Sequence, residues 1–290
     1  MKRKVTVELQ IDESKAVKIA EKLLDLFYNR KGFFKGYSMP EYILPRNLVK
    51  GSREHALYLT YVISIDYMTD AEKLWRNSRG AYELYPERFE PENIVKMGDR
   101  TLRAFVRRLG ARFSTTGVST WKKISTILLN KYNGDPRNIA RENLTIKEIK
   151  KRLNEFPYLR GNKLSNFYIR AMGENELLKI SNFDELDIPV DIQVARFSIY
   201  TGVLRLLSDR FEGCVHEDPL RSLIEEAWRT AAKKVNTYPW KLDEPLWTIG
   251  SKLCAARKCY FCPVEELCDK TKGVKFREGI AIWEQAGSKT

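Results

Sequence analysis

The sequence predicts a mostly α-helical protein with one short strand near its N-terminus. From about Arg53 onward, apolar residues recur at helical spacing in one segment after another, and short polar breaks such as NGDPRN separate the segments. The chain has 290 residues, of which 43% are hydrophobic and 11% are aromatic. Such a chain can bury a large core, either as one domain or as two interlocked ones.

The first fifty residues predict a strand, a helix and a loop in turn. In KVTVELQID, apolar Val5, Val7 and Leu9 alternate with polar residues, as in a half-buried strand. SKAVKIAEKLLDLFYNR has the apolar spacing of a helix, with Ser14 as its predicted N-cap. Glycines and prolines between positions 31 and 50 then predict a loop or linker.

Helices are predicted for most of the remaining chain. HALYLTYVISIDYMTDAEKLW predicts one long apolar helix or two shorter ones. Further helices are predicted, in chain order, in PENIVKMG, DRTLRAFVRRLGARF, VSTWKKISTILLNKY, TIKEIKKRLNEF, VARFSIYTGVLRLL, LRSLIEEAWRTAAKKV and DEPLWTIGSKLC.

The charge of the chain indicates a polyanionic partner. The formal net charge is +13, so nucleic acid is the first candidate and an anionic membrane surface the second. One predicted helix carries a basic stripe that either contacts phosphates or is simply solvated; the stripe consists of Arg100, Arg103, Arg107, Arg108 and Arg112. Because no apolar run is long enough to span a membrane and no signal peptide is recognisable, we expect an intracellular protein, cytoplasmic or nucleoid-associated, with no membrane partner.

Four of the five cysteines fall within fifteen residues, CAARKCYFCPVEELC. Their spacing is Cys254-x4-Cys259-x2-Cys262-x5-Cys268. Structural zinc sites usually pair two short cysteine hairpins across a longer stretch, whereas this compact spacing favours a [4Fe-4S] cluster, with zinc as the alternative. Cys214 stands apart and is most simply a small core residue.

The loop between the first two of these cysteines is basic. It contains Arg257 and Lys258, so a folded loop here is either a phosphate-contacting element or a solvated surface. A cluster that folds such a loop need not be redox-active.

The cysteine segment, preceded by LWTIGSKL, resembles the C-terminal iron–sulfur loop of the endonuclease III-like DNA glycosylases. That family usually has six residues between its first two cysteines, and this chain has four. Four more stretches resemble the family in its own order: VISIDYMTDAEKLW its early helix and turn, ISTILLNKYNGDP the helix and Asn-Gly turn before its helix-hairpin-helix, FPYLRGNKLSNFYI that hairpin, and PVDIQVARF the segment with its catalytic aspartate. The resemblance covers roughly Arg53 to Lys270.

The chain is also similar to archaeal 8-oxoguanine DNA glycosylases, in IPVDIQVARF, in LDEPLW and in Trp75 at the end of the early helix. The resemblance implies a two-lobed helix-hairpin-helix DNA glycosylase fold. Residues 1–50 would be an N-terminal segment that packs with the C-terminal lobe. Residues 51–165 would form a barrel-like helical lobe ending in the hairpin, and residues 166–290 a second helical lobe with the iron–sulfur loop at 254–268.

The hairpin implied by the resemblance departs from the family's Leu-Pro-Gly-x-Gly-x-Lys. It keeps Gly161 and places Tyr158 and Arg160 in the turn. A turn before a helix presents backbone N–H groups that bind a phosphate without reading sequence, so Arg160, Gly161 and Asn162 are the predicted DNA-backbone contacts. Without the resemblance, PYLRGNK is an ordinary loop between helices.

Lys163 stands where the family has its lysine nucleophile. An amine attacks C1′ of a sugar only when it is unprotonated, and the pKa of a free lysine is about 10.4. A nearby cation or a helix N-terminus would favour the neutral amine, and Arg160 and Arg170 are candidates. Outside the resemblance, Lys163 is equally a solvated lysine at the start of a helix.

Asp191 stands where the family has its catalytic aspartate, whose charge stabilises the positive charge that develops on the sugar. The same residue is equally a helix N-cap, and the two roles are compatible. A base must leave the duplex to be read. Trp247 and Asp243 are predicted to contact it, with Trp75 as a third candidate, although core packing is the alternative for each tryptophan.

Tyr67 and Met68 are the predicted wedges that enter the base stack. We therefore expect a DNA repair glycosylase with abasic-site lyase activity, acting as a monomer on double-stranded DNA that contains a damaged base or an abasic site. The alternatives are a monofunctional glycosylase, a non-catalytic helix-hairpin-helix DNA-binding protein that carries an iron–sulfur cluster, and an electron-transfer protein. Lys163 and Asp191 together favour an enzyme.

Overall fold

A computed structural model describes residues 9–285, so Val5 and Val7 of the predicted strand lie outside the described residues. The α-helices are α1 (Glu13–Tyr28), α2 (Arg53–Ser64), α3 (Ala71–Leu84), α4 (Pro91–Lys96), α5 (Asp99–Leu109), α6 (Ser114–Tyr132), α7 (Ile146–Leu153), α8 (Asn162–Glu174), α9 (Ile192–Tyr200), α10 (Leu220–Lys234) and α11 (Asp243–Ile249). The strands are β1 (Leu9–Ile11), β2 (Leu204–Leu206), β3 (Arg210–Cys214), β4 (Val274–Arg277) and β5 (Ile280–Glu284). The mostly α fold class is confirmed.

The described chain divides into two compact units. The central unit is Ser38–Phe183, and the discontinuous unit combines the described parts of Met1–Tyr37 and Asp184–Thr290. The predicted boundaries at 50/51 and 165/166 both fall inside the central unit, which therefore differs from the predicted lobe.

The reason for this difference is a buried ion-pair cluster on α8. The Arg170 guanidinium donates to Glu41 Oε1 at 2.6 Å, to Tyr42 Oη at 2.8 Å and to Glu174 Oε2 at 3.0 Å, and its side chain is 1% exposed. A buried charge is tolerated only when it is paired and hydrogen-bonded. These contacts attach the segment after Ser38 to α8 and keep both in one unit.

In the central unit, α2 is the helix that the others surround. Ten of its twelve residues are buried, and α3, α6 and α8 all pack against it. The predicted long apolar helix is two helices, because the chain leaves the helical path at Ile65 and Asp70 caps α3 by accepting from the backbone N–H of Lys73. The apolar stretch thus serves as a core helix followed by an amphipathic one.

The discontinuous unit joins the two parts of the chain through α1 and α10, which pack together, and through β1, which pairs antiparallel with β2. Two predictions for this unit are corrected. Asp12, not Ser14, caps α1, by accepting from the backbone N–H of Lys15 at 3.0 Å. The VLRLL end of the predicted helix after Asp191 is strand β2, because the main chain of this run pairs with β1.

A three-stranded antiparallel sheet with the order β3-β5-β4 completes the unit and was not predicted. Buried residues of the sheet and of α10 belong to one hydrophobic core. In this core Trp228 is fully buried and donates from Nε1 to Ser198 Oγ at 2.9 Å. Among residues 9–285, no helix is long and apolar enough to cross a membrane.

His55 is the fully buried histidine of α2. Its Nδ1 accepts from the backbone N–H of Gly51 at 3.2 Å. Burial, and then the charge of Lys50, disfavour the imidazolium and lower the pKa of His55 from 6.5 to about 4. Between about pH 4 and pH 6.5, His55 is therefore neutral in the folded protein, whereas the same histidine in the unfolded chain is protonated.

The free energy of unfolding should consequently fall as the pH is lowered from 6.5 toward 4, because the unfolded chain then binds a proton that the folded protein excludes. We expect the titration of His55 to lower the free energy of unfolding by about 2 kcal/mol. His55→Asn keeps an acceptor for Gly51 and removes the titration, so denaturation at pH 7 and pH 4.5 should show a smaller loss for this variant than for the unmodified protein. Equal losses in the two proteins would contradict the assignment.

Candidate functional site

The hairpin turn lies between α7 and α8 in the central unit. Tyr158 has a left-handed backbone, with φ 64°, the conformation for which glycine is the usual residue. Gly161, in contrast, is the N-cap of α8 with an extended φ of −71°. The turn therefore places a tyrosine in a backbone conformation that glycine adopts more readily.

The N-terminus of α8 is open to an anion. Gly161 provides no side-chain cap, and the first backbone N–H groups of a helix have no intrahelical acceptor. Arg160, Gly161 and Asn162 are all exposed at this point. The predicted backbone-contacting residues thus surround a helix end that attracts negative charge.

Lys163 is half-buried in the first turn of α8. The prediction that the charge of Arg170 favours the neutral form of the Lys163 amine is corrected. The charge of Arg170 is compensated by Glu41 and Glu174. Arg160 and the helix end remain as the positive groups of this turn.

Tyr67 lies beside the hairpin. Its ring centroid is 5.7 Å from that of Tyr158 and 6.4 Å from that of Phe113. Tyr67 is 37% exposed and Phe113 is 45% exposed, while Met68 is half-buried with a left-handed φ of 52°. Sequence analysis missed Phe113, because only the fold brings its loop to the hairpin.

Asp191 caps α9 in the discontinuous unit. Its Oδ1 accepts from the backbone N–H groups of Gln193 at 2.8 Å and Val194 at 3.0 Å. Its Oδ2 accepts from Trp247 Nε1 at 3.1 Å. Both oxygens of this buried carboxylate are therefore held, and its orientation is fixed from two sides.

A close approach of two chain segments makes the Trp247–Asp191 contact possible. After α11 the chain enters a π-helical turn, Gly250–Cys254, that packs against α9. A Cβ at Gly250 would lie 2.3 Å from the backbone oxygen of Gln193, closer than side chains tolerate. Glycine at this position lets α11 bring its tryptophan to the aspartate.

The remaining predicted base contacts differ in accessibility. Trp247 is half-buried, and Asp243, in the first turn of α11, is 4% exposed. Trp75 is 2% exposed and packs edge-on against Tyr58 and Phe167 in the central unit. Core packing is therefore the role of Trp75, and its prediction as a base contact is corrected.

The four clustered cysteines line one cavity in the discontinuous unit. Tyr200, Leu253, Arg257, Glu265 and Lys270 complete its walls. Within residues 9–285, no group of three or more His, Cys, Asp or Glu side chains is arranged as a site for a metal ion. Cys214 lies apart, on β3.

The surroundings of the four thiols are those of a shielded site. Burial, followed by the charges of the other three cysteines, raises the pKa of Cys254 to about 12, and burial likewise raises that of Cys262 to about 11. The backbone N–H of Lys270 donates to Cys268 Sγ at 3.4 Å. The four sulfurs therefore share one shielded cavity, in which their ionised forms would repel one another.

The two basic residues of the cysteine loop differ. The Arg257 guanidinium lies 3.6 Å from the centre of the Tyr200 ring, and it donates to the backbone oxygen of Thr271 at 3.4 Å. Lys258 is exposed. Arg257 is thus held against the cysteine cavity, whereas Lys258 points to solvent.

A cavity of about 470 Å³ lies elsewhere in the central unit, beside the Asn133–Gly134 turn. None of the predicted site residues lines it. Two of the arginines at its wall, Arg53 and Arg137, already form ion pairs with Glu90 and Asp135.

Comparison with known proteins agrees with these features. A family model described as AGOG, N-glycosylase/DNA lyase, matches residues 161–275, which include the hairpin glycine, Lys163, Asp191 and the cysteine loop. No curated protein sequence matches the chain.

The fold is similar to that of solved DNA glycosylases. A trapped endonuclease III–DNA covalent intermediate superposes with a TM-score of 0.60 at 16% identity, over 90% of this chain and 97% of the other. A non-covalent endonuclease III–DNA complex gives 0.57 at 15% identity, over 90% and 97%. A thermostable thymine-DNA glycosylase gives 0.53 at 16% identity, over 89% and 96%. At these identities the likeness is one of fold.

The family match is thus to an N-glycosylase/DNA lyase model over residues 161–275. Over nearly the whole chain, the fold resembles that of endonuclease III.

Gly250→Ala should disturb this arrangement, because its Cβ would force α11 away from α9. We expect the free energy of unfolding to fall by about 1–3 kcal/mol. Gly80→Ala is the control: it lies on α3, where a Cβ meets nothing within 4 Å, and should leave stability unchanged or raise it by up to about 1 kcal/mol. Chemical denaturation of both variants measures the difference; a neutral Gly250→Ala would show that the helices are not in close contact.

Proposed function

We propose that this protein is a DNA glycosylase with abasic-site lyase activity, which removes an oxidised or deaminated base from duplex DNA. The observation that carries the proposal is the occurrence of Lys163 at an open helix N-terminus and of a doubly held Asp191, both within the segment that matches an N-glycosylase/DNA lyase family model. The solved neighbours include a trapped covalent complex with DNA.

In the first step, the neutral amine of Lys163 attacks C1′ of the damaged nucleotide. The C1′–N-glycosidic bond breaks, and the base leaves with the bonding electrons and takes up a proton. Positive charge develops on the sugar as the bond lengthens, and the Asp191 carboxylate stabilises it. The step requires no redox partner.

In the second step, the sugar ring opens and the nitrogen of Lys163 forms an imine with C1′. The imine makes the proton on C2′ acidic, and loss of this proton expels the 3′ oxygen of the sugar as a phosphate ester. Water then hydrolyses the imine and releases the lysine. The products are a broken strand and the regenerated enzyme.

The role of Asp191 depends on Trp247. A carboxylate stabilises a transition state best when its orientation is set before the reaction, since no reorganisation is then needed. The indole N–H and the two backbone N–H groups of α9 provide this orientation. The Trp247 ring, which is half-buried, is the proposed stacking surface for the extruded base, with Asp243 as its neighbour on α11.

Binding to the duplex uses charge and backbone donors. Arg160, Gly161 and Asn162 at the open end of α8 are the proposed contacts to the phosphates, with Arg257 and Lys258 as further contacts from the cysteine loop. Tyr67 and Met68 are the proposed wedge. The partner is thus double-stranded DNA with a damaged base or an abasic site, and we propose a monomer.

Cys254, Cys259, Cys262 and Cys268 would hold a [4Fe-4S] cluster, with zinc as the alternative. The fit rests on the common cavity, on the backbone donor to Cys268, and on the repulsion between the thiolate forms that a bound cationic centre would offset. When bound, such a cluster ties the basic loop at four points and stabilises its fold. No step of base removal uses it.

Borohydride trapping tests the chemistry. We would incubate the protein with duplexes that carry uracil, hypoxanthine, 8-oxoguanine, an oxidised pyrimidine or an abasic site, and then reduce the imine. An adduct should form and should be lost in Lys163→Ala but not in Lys147→Ala, an exposed lysine on α7. Asp191→Asn should slow base release by about 10²–10³-fold.

Absence of an adduct on every duplex, with tight binding intact, would contradict the lyase. Base release without trapping would then identify a monofunctional glycosylase, and neither activity would identify a DNA-binding protein. A reversible one-electron wave on the free protein would favour electron transfer.

Metal analysis tests the cofactor. Purified protein should be brown and should contain about four irons per chain. Cys262→Ser should lose the colour and the iron, whereas Cys214→Ser, outside the cavity, should keep both. Colourless protein with one zinc per chain would overturn the cluster.

A further inference from the structure

The outer face of α5 carries a row of arginines that the proposed site does not use. Arg100, Arg103 and Arg107 are three and four residues apart and share one face of the helix, with Arg108 beside them. All four are exposed. The opposite face is buried and consists of Leu102, Phe105, Val106 and Leu109. Because Gly110 ends the helix with φ 107°, Arg112 of the predicted stripe lies beyond it.

These four arginines form a row of like charges. Among residues 9–285, none of them makes a salt bridge, whereas the exposed Arg229 pairs with Asp187 at 2.8 Å. The acid of this helix, Asp99, forms its ion pair with Lys122, and Arg103 interacts with it only through its charge. Like charges three or four residues apart destabilise a helix by about 0.2–0.5 kcal/mol per pair, so the row reduces the stability of α5 unless a polyanion neutralises it.

The row is continuous with the hairpin. Just beyond α5, the Arg112 guanidinium lies 5.5 Å from the centre of the Phe113 ring. The Phe113 ring is 6.4 Å from Tyr67, which is 5.7 Å from Tyr158 in the hairpin turn. An exposed path of cationic and aromatic side chains therefore runs within the central unit from α5 to the open end of α8.

We propose that Arg100, Arg103, Arg107 and Arg108 bind the phosphates of duplex DNA flanking the lesion, as an extension of the hairpin contact. This inference rests on the proposed function. From Arg100 to Arg107 the helix rises about 10 Å, and one strand of DNA carries a phosphate about every 3.4 Å along the axis. The length of the row thus corresponds to about three consecutive phosphates. Each guanidinium group can donate two parallel hydrogen bonds to the oxygens of one phosphate.

The test compares two charge-matched variants. The α5 variant carries Gln in place of Arg100, Arg103, Arg107 and Arg108. The control variant carries Gln in place of Lys18, Lys35, Lys233 and Lys275, which are exposed on the discontinuous unit. Each variant lowers the formal net charge of +13 by four, and glutamine retains the helix propensity of α5.

Affinity is measured against salt concentration on an undamaged 30-base-pair duplex and on an 11-base-pair duplex. For the α5 variant on the long duplex, the slope of log affinity against log salt should fall by two to four, about 0.9 per lost contact, and affinity at low salt should drop at least tenfold. The short duplex should show a smaller change, and the control variant should change the slope by less than one.

Equal losses in the α5 and control variants, or an unchanged slope, would overturn the proposal. A second assay measures binding to vesicles with 30% anionic lipid. If the unmodified protein binds these vesicles and the α5 variant does not, while both bind the duplex equally, the proposal is overturned in favour of a membrane contact. Trapping on an abasic 11-base-pair duplex separates this surface from the chemistry: normal trapping with an unchanged slope refutes the surface alone, and no trapping by the unmodified protein refutes the proposed function.

Discussion

The Asp191 carboxylate is the group on which the geometry of the candidate site depends. One of its oxygens closes the N-terminus of α9 and the other accepts the indole proton of Trp247. An N-cap and an electrostatic catalyst are often regarded as competing roles for an aspartate. Here the capping bonds hold the carboxylate in place, so the structural role supplies the preorganisation that the proposed chemical role needs. The same contact depends on Gly250, from which the chain continues directly into the cysteine loop.

Positive charge is treated in two ways in the central unit. Arg170 is buried and surrounded by Glu41, Glu174 and a tyrosine hydroxyl, so its charge is used in ion pairs and hydrogen bonds inside the protein. The α5 arginines are exposed, and within residues 9–285 they form no salt bridge. A buried arginine must be neutralised within the protein, whereas an exposed row can leave its neutralisation to a ligand. Counting basic residues in the sequence does not separate these two uses.

How much could be predicted from the sequence depended on the range of each interaction. Apolar periodicity located the helices, because it reflects burial of one face of a single segment. The strand β2 and the three-stranded sheet were not predicted, since their short segments pair with residues far away in the chain. Asp12 rather than Ser14 caps α1, a two-residue shift that local sequence does not resolve. The cysteines were predicted to converge because they are adjacent in sequence, and they line one cavity.

The residues that surround the predicted catalytic groups could not be found in the same way. Trp247 and Asp191 are 56 residues apart, and only the packing of α11 on α9 joins them. Phe113 reaches the hairpin through the ends of α5 and α6. The residue types were visible in both cases, but the contacts follow from tertiary structure. Trp75 shows the opposite error: it lies near a site motif in the sequence, but in the structure it is a buried core residue.

The division of the chain also sets an order of events during synthesis. The central unit is contiguous and has all its residues once Phe183 has been made, but α1 needs α10, about 200 residues later in the chain. At translation rates of about 5–20 residues per second, α1 waits roughly 10–40 s for its partner. During that time Ile19, Leu23 and Phe27 have no core to enter. The apolar face of the first helix therefore stays exposed to solvent until α10 has been made and covers it.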